Sequence, residues 1–167
     1  MVPEQLIGPE LRLALRRLAK AVVIVTSKHD GVRHAMAATA VSELSIDPPS
    51  MLVCVNKSAS MHPVLTTGAP FCINILHVSQ EAMARSCSGV LKGEARFETG
   101  RWAQARSGIP YLLDAQAAIV CDHATALEFG THSIFIGRVV EVHLAGEIDP
   151  LIYMDGGYCA AQALGKS

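Results

Sequence analysis

Charge is scarce in this sequence. Of its 167 residues only 17% are Asp, Glu, Lys or Arg, and the net charge is −1. An ordinary globular domain carries roughly a quarter charged residues. With neither sign in excess, there is no electrostatic footprint for nucleic acid or for an anionic membrane surface. Long apolar runs are missing too: none reaches the roughly 18 residues of a membrane-crossing helix. The opening "MVPEQLIGPELRLALRRLAKA" carries acidic residues and no apolar core, unlike a secretory signal. Cysteines are few and unpaired in spacing: Cys54, Cys72, Cys87, Cys121 and Cys159 stand singly. Their odd number and the lack of any C-x-x-C argue against a disulfide framework and for reduced thiols in the cytoplasm.

Several chemical signatures are also absent. There is no G-x-G-x-x-G or G-x-x-x-x-G-K-[ST], so no glycine-rich phosphate cradle is expected. There is no G-x-S-x-G nucleophile elbow. The one dense group of metal-ligand types, Cys121-Asp122-His123, is three consecutive strand residues. Neighbours on a strand point to opposite faces, so no metal site is expected.

What is present is apolar: half of the residues are hydrophobic. A chain of this length can bury one substantial core, and a single domain over residues 1–167 is expected. So much apolar surface with so little charge also points to a second copy, a homodimer, covering part of it.

Leu11, Ala14, Leu15 and Leu18 recur at helical spacing behind Pro9, with basic residues toward the C-terminal half, which predicts a leading helix. "AVVIVTS" (21–27) reads as a buried strand, and Asp30-Gly31 as the tip of the turn that follows. A strand through 34–46 is broken at Asp47-Pro48-Pro49, and "SMLVCVN" is another. A short helix follows, capped by Ser60 and ended by Gly68. "FCINIL" (71–76) is a strand, and "SQEAMARSCSG" a helix capped by Ser79. Residues 88–111 show little periodicity and read as a long excursion around Trp102. Two strands, 115–127 and 133–144, come next; in the second, Ile134, Ile136, Val140, Val142 and Leu144 share one face. A short strand and a Gly-Gly turn close the chain. Many strands without βαβ alternation predict a mainly β, antiparallel barrel with attached helices.

Three stretches stand out. "ATAV" (38–41) gathers small side chains, which suit either a tight strand crossing or a wall for a flat ligand. "NKSAS" (56–60) packs an amide, a cation and two hydroxyls after a strand, which suits a phosphate or an ordinary polar turn. "GTH" (130–132) puts a glycine and a histidine at the start of a strand.

Taken in order, "MAATAVSELSIDPPSMLVCVNKSASMHPVL", "FCINIL", "QEAMARSCSG", "GTHSIFIGRVVEV" and "PLIYMDGGY" resemble the short-chain flavin reductases. These are the reductase components of two-component flavin-dependent monooxygenases, the 4-hydroxyphenylacetate 3-monooxygenase type among them. The resemblance spans residues 12–160. It implies an FMN-binding split β-barrel, a homodimer, and reduction of FMN or FAD by NADH or NADPH. The reduced flavin then passes to a separate oxygenase.

On that resemblance Ala38, Thr39, Ala40 and Val41 line the flavin ring, although relatives often carry Ser or Asn where Ala40 stands. Asn56, Lys57, Ser58 and Ser60 take the flavin phosphate, and Val55 before them is a further cofactor contact. Gly130 and His132 stand beside the nicotinamide, with His132 as the catalytic candidate. Asn74 is an amide inside an apolar strand, and serves either a strand-to-strand bond or the flavin. Arg85 is a dinucleotide partner or a solvated helix residue. Ser86 stands where relatives carry an aromatic, which removes a stacking contact. Tyr158 covers the nicotinamide pocket or packs. A flavin-binding module without catalysis, and a reductase that keeps its flavin for an acceptor such as ferric iron, are the alternatives.

Overall fold

The computed structural model describes residues 4–165. Helix α1 (Glu4–Leu15) leads into β1 (Lys20–Ala21), β2 (Val23–His29), β3 (Val32–Ala38), β4 (Val41–Ile46) and β5 (Pro49–Asn56). Helix α2 (Met61–Thr66), β6 (Phe71–Ile75) and α3 (Glu81–Arg85) follow. The rest is β7 (Trp102–Gln104), β8 (Pro110–Leu112), β9 (Ala117–Phe129), β10 (His132–Leu144), β11 (Leu151–Met154) and β12 (Gly157–Ala160).

Seven strands form the main sheet in the order β3-β2-β6-β9-β10-β5-β4, every neighbouring pair antiparallel. Its two edge strands, β3 and β4, are consecutive in the chain, with only Thr39 and Ala40 between them. The edges of a flat sheet this wide would lie about 29 Å apart, at roughly 4.8 Å per strand. A residue spans at most about 3.5 Å, so the sheet has to curl until its edges meet. The core confirms the curl. Val23, Val25, Val53, Val55, Phe71, Ile73 and Phe135 fill its interior, plugged by Met61 and Leu65 of α2. Met36 and Ala38 from one edge and Val41 from the other pack against that same cluster. The expected antiparallel barrel is thus present, with its seam at residues 39–40.

A second sheet, β1-β11-β12, lies beside the seam. Its turn is Asp155-Gly156, both at positive φ, and Asp30-Gly31 joins β2 to β3 in the same way.

Several local expectations are corrected. The leading helix begins before Pro9 and ends at Leu15, not at Leu18. The strand read over 21–27 divides at Val22, whose backbone bonds to Leu151 and Leu76 while β1 pairs with β11. Ser60 makes no side-chain cap on α2. The turn before α3 is capped by His77, whose ring accepts from the Ser79 amide while Gln80 accepts from the His77 amide. The long excursion holds a short 3-10 turn and the β7–β8 hairpin, anchored where Phe97 packs on Trp102.

The shared apolar face of β10 exists but points outward. Its inward face is Ser133, Phe135 and Gly137, while Val142 and Leu144 are 52% and 80% exposed. Phe135 fills the interior, and Gly137 is where Phe71 and Cys121 close in. A β-carbon there would stand 2.6 Å from Cys121 Cβ and 2.7 Å from Phe71 Cζ.

Candidate functional site

Sheet order builds the site. β5 lies between β4 and β10, so the three motifs converge at its end. On one side Val41 pairs with Val53, and the Cys54 amide donates to the Ala40 carbonyl at 2.8 Å. On the other, Asn56 is paired with His132, and the Lys57 amide donates to the Thr131 carbonyl at 2.9 Å. Gly130, with φ +56, is the first of the two turn residues joining β9 to β10. That position of a type II′ hairpin turn favours glycine, and the turn it makes presents His132 to solvent.

The seam is open. Ala40 is exposed, Ala38, Thr39 and Val41 are half-buried, and Thr39 borders three adjoining cavities. The first, about 350 Å³, is lined by Ala38, Arg85, Ser88 and Tyr158. The second, about 260 Å³, is lined by Arg12, Arg16, Lys20, Tyr153 and Asp155. The third, about 450 Å³, lies along Lys20, Ala40, Val41, Leu52 and Cys54. The small residues are therefore not a sealed crossing in the core.

The turn after β5 is internally tied. Asn56 Oδ1 accepts from the Ser58 amide at 2.9 Å and the Ser58 hydroxyl at 2.8 Å. This fixes the turn and directs the Ser58 proton at Asn56. Lys57 Nζ is 2.8 Å from Glu128 Oε2. The bond and charge of Lys57 hold the Glu128 carboxyl below the usual carboxylate range. Among the described residues, the side-chain donors of this turn still free for an anion are the Asn56 amide nitrogen and the Ser60 hydroxyl, with the Lys57 ammonium shared. His132 is exposed, its Nδ1 lying 2.9 Å from the Thr131 hydroxyl.

Arg85 and Tyr158 do come together. The guanidinium lies 4.9 Å from the centre of the Tyr158 ring, and Glu81 accepts from it twice, at 2.8 and 2.6 Å.

Two expected contacts are buried inside the fold. Val55 is 1% exposed inside the barrel; alternation turns its neighbour Cys54 outward instead. Asn74 is fully buried, and both ends of its amide are engaged. Nδ2 donates to the Ile24 carbonyl at 2.9 Å, and Oδ1 accepts from the Leu112 amide at 2.7 Å. Asn74 ties β6 to β2 and β8.

Residue reading had not singled out Leu52, Cys54, Lys20, Ser88, Tyr153 or Glu128. The signal for Leu52 and Cys54 was there, since they alternate with core residues Val53 and Val55. The others depend on which strands meet.

A flavin fits these residues. Its flat ring needs a wall without bulky side chains, which the exposed Ala40 and its neighbours supply, and its phosphate needs convergent donors. The third cavity lies within the roughly 300–1,000 Å³ of small-molecule sites.

A curled antiparallel sheet with an open seam of small side chains, a donor-rich turn and a solvent-facing histidine defines a ligand-binding barrel of the flavin type. The chain belongs to the flavin reductase family: the family model described as "Flavin reductase like domain" matches residues 15–162. It is 37% identical over 163 residues to the reductase component of the FADH(2)-dependent resorcinol hydroxylase of Rhizobium sp., covering 96% of this chain and 91% of that one. It is 33% identical over 156 residues to the FMN reductase (NADH) RutF of Variovorax paradoxus, covering 93% and 87%. Among solved structures, BorF, the flavin reductase component of a bacterial two-component tryptophan halogenase, aligns with a TM-score of 0.85. That pair is 31% identical over 94% of this chain and 99% of the other.

Proposed function

We propose that this chain is an NAD(P)H:flavin oxidoreductase that reduces FMN or FAD and supplies the reduced flavin to a separate monooxygenase component. The observation that carries this reading is the convergence of residues 38–41, 54–58 and 130–132 at one end of β5, beside an open seam. The family membership and the reductase-component names of its relatives support it.

Ala38, Thr39, Ala40 and Val41 form the wall for the flavin ring. Asn56, Lys57 and Ser60 bind its phosphate, and Asn56 holds the turn in shape for them. His132 orients the nicotinamide next to Gly130 and balances negative charge. Arg85 and Tyr158 border the far end of the groove. A bound flavin would supply the hydride acceptor for the nicotinamide, and its reduced form would take the two electrons to the oxygenase. Hydride transfer needs the two rings stacked at about 3–3.5 Å rather than a protein acid, so positioning is the protein's task. The shallow, open seam suits a carrier that must leave.

The chain acts as a single domain, and a second copy covers its exposed apolar surface. Leu11 and Leu13 of α1, Phe129 of β9 and Leu144 of β10 are 53%, 58%, 84% and 80% exposed, and a second copy would take such side chains out of water. Sedimentation measurements should give twice the chain mass. Free thiols at all five cysteines suit the reducing cytoplasm, and no described helix is long and apolar enough to cross a membrane.

The test is NADH and NADPH oxidation with FMN, with FAD and without flavin. Turnover that requires added flavin supports the reading. Tight flavin binding without turnover, or a yellow protein whose bound flavin never exchanges, rejects it. His132→Ala is expected to impair NADH use more than flavin binding; equal loss of both removes His132 from the nicotinamide.

A further inference from the structure

The second cavity at the seam gathers positive charge outside the proposed flavin and nicotinamide motifs. Arg12, Arg16 and Lys20 line it against one carboxylate, Asp155. Arg16 is committed to that carboxylate, with Nε 2.7 Å from Asp155 Oδ1. Arg12 and Lys20 enter no ion pair among the described residues.

Lys20 is held in place by its strand. It opens β1, pairs with Tyr153 of β11, and borders both the second and the third cavity. Arg12 stands on the last turn of α1, which is pinned over the cavity where the Asp155 amide donates to the Arg16 carbonyl at 2.9 Å. Two cations without counter-ions thus face one concave surface that adjoins the wall of small residues at Thr39. No carboxylate of the described residues pairs with either of them. An anion with about two negative charges, held by charge-assisted hydrogen bonds, would satisfy both.

On the placement proposed above the flavin phosphate sits at the turn 56–60, none of whose residues lines this cavity, so the anion here is a different one. We propose that Arg12 and Lys20 form the pyrophosphate subsite for the nicotinamide dinucleotide. The assignment rests on the reductase reading above and extends it to residues outside the motifs. The cavity shares Thr39, Tyr153 and Gly156 with the first one, which Arg85 and Tyr158 also line. The second cavity therefore adjoins both of the others and carries more basic side chains than either.

The test is calorimetric binding of ADP-ribose, which carries the pyrophosphate but no nicotinamide, to the full chain and to Lys20→Gln and Arg12→Gln. Each substitution is expected to raise the Kd for ADP-ribose about 10-fold, the effect of one lost charge-assisted hydrogen bond. Lys20→Arg should recover most of the loss. KM for NADH should rise in parallel, while KM for 1-benzyl-1,4-dihydronicotinamide, which has no phosphate, stays put. Unchanged ADP-ribose binding in the variants, or no binding by the native chain, overturns the subsite. So does weakened FAD binding with ADP-ribose untouched, since the subsite would then serve the flavin's own adenylate. If ADP-ribose binding responds as expected but the native chain never oxidises NADH with added flavin, the subsite stands and the reductase reading falls.

Discussion

Lys57 Nζ lies 2.8 Å from Glu128 Oε2, so the cation nearest the proposed flavin phosphate is already paired across the end of the barrel. Both side chains are solvent-accessible, 40% and 67% exposed, and the pair contributes little to stability. It does compete with an incoming phosphate. Glu128→Gln should tighten FMN binding about 2- to 5-fold at low salt, with the gain fading as salt screens the charge. Flavin fluorescence titration measures it. Weaker binding in that variant would mean that Glu128 helps hold Lys57 in the productive position.

Asn74 is buried with both ends of its amide bonded, to Ile24 on β2 and to Leu112 on β8. Asn74→Ala strands a buried carbonyl and a buried amide, and should cost about 2–4 kcal/mol of stability in urea unfolding. FMN affinity of the folded fraction should be unaltered. Loss of FMN binding at native stability would return Asn74 to the cofactor site.

The five thiols should divide by position. Burial pushes Cys72 and Cys121 up to about 12 and Cys87 up to about 11, so their reactive thiolates are nearly absent at pH 8. Cys54 and Cys159 are only half-buried, and Cys54 lines the third cavity. Iodoacetamide followed by mass spectrometry should find label on Cys54 and Cys159 alone. Saturating FMN should slow labelling of Cys54 and leave Cys159 as before. Equal protection of both would place the ligand elsewhere.

Acid should weaken the fold through His34. Burial, and next the neighbouring His29, lower its pKa from 6.5. Between that lowered value and 6.5 the unfolded chain binds more protons than the folded one, so stability rises with pH across this window. The contribution is fully present above pH 6.5 and is lost as pH falls through the folded pKa. His34→Gln should flatten the urea midpoint between pH 5 and 7, compared with the native chain. A midpoint with the same slope in both proteins would mean that other groups govern acid sensitivity.

Much of the fold was legible in residues. Turn chemistry at Asp30-Gly31 set a hairpin that the structure retains, because positive φ restricts which residues can stand there, while the expected closing Gly-Gly turn falls one residue earlier, at Asp155-Gly156. The helix before residue 90 was legible as an element, but its cap was not. A histidine is an unusual cap, and its role depends on Gln80 reaching back to its amide. The apolar alternation of 133–144 was read correctly as one face, although nothing in the pattern says that this face looks away from the core.

By itself, then, the sequence determined roughly where most of the long strands fall, which phosphate loops are missing, and which short motifs match the flavin reductases. Those are properties of local backbone preference and side-chain type. Only the tertiary structure decided that Thr39 and Ala40 bridge the two sheet edges, that Cys54 rather than Val55 meets the groove, and that Lys57 faces Glu128. A period of two divides a strand into two faces without saying which is inside. That choice is made when seven strands curl around Phe71 and Phe135 and their edges close at one seam.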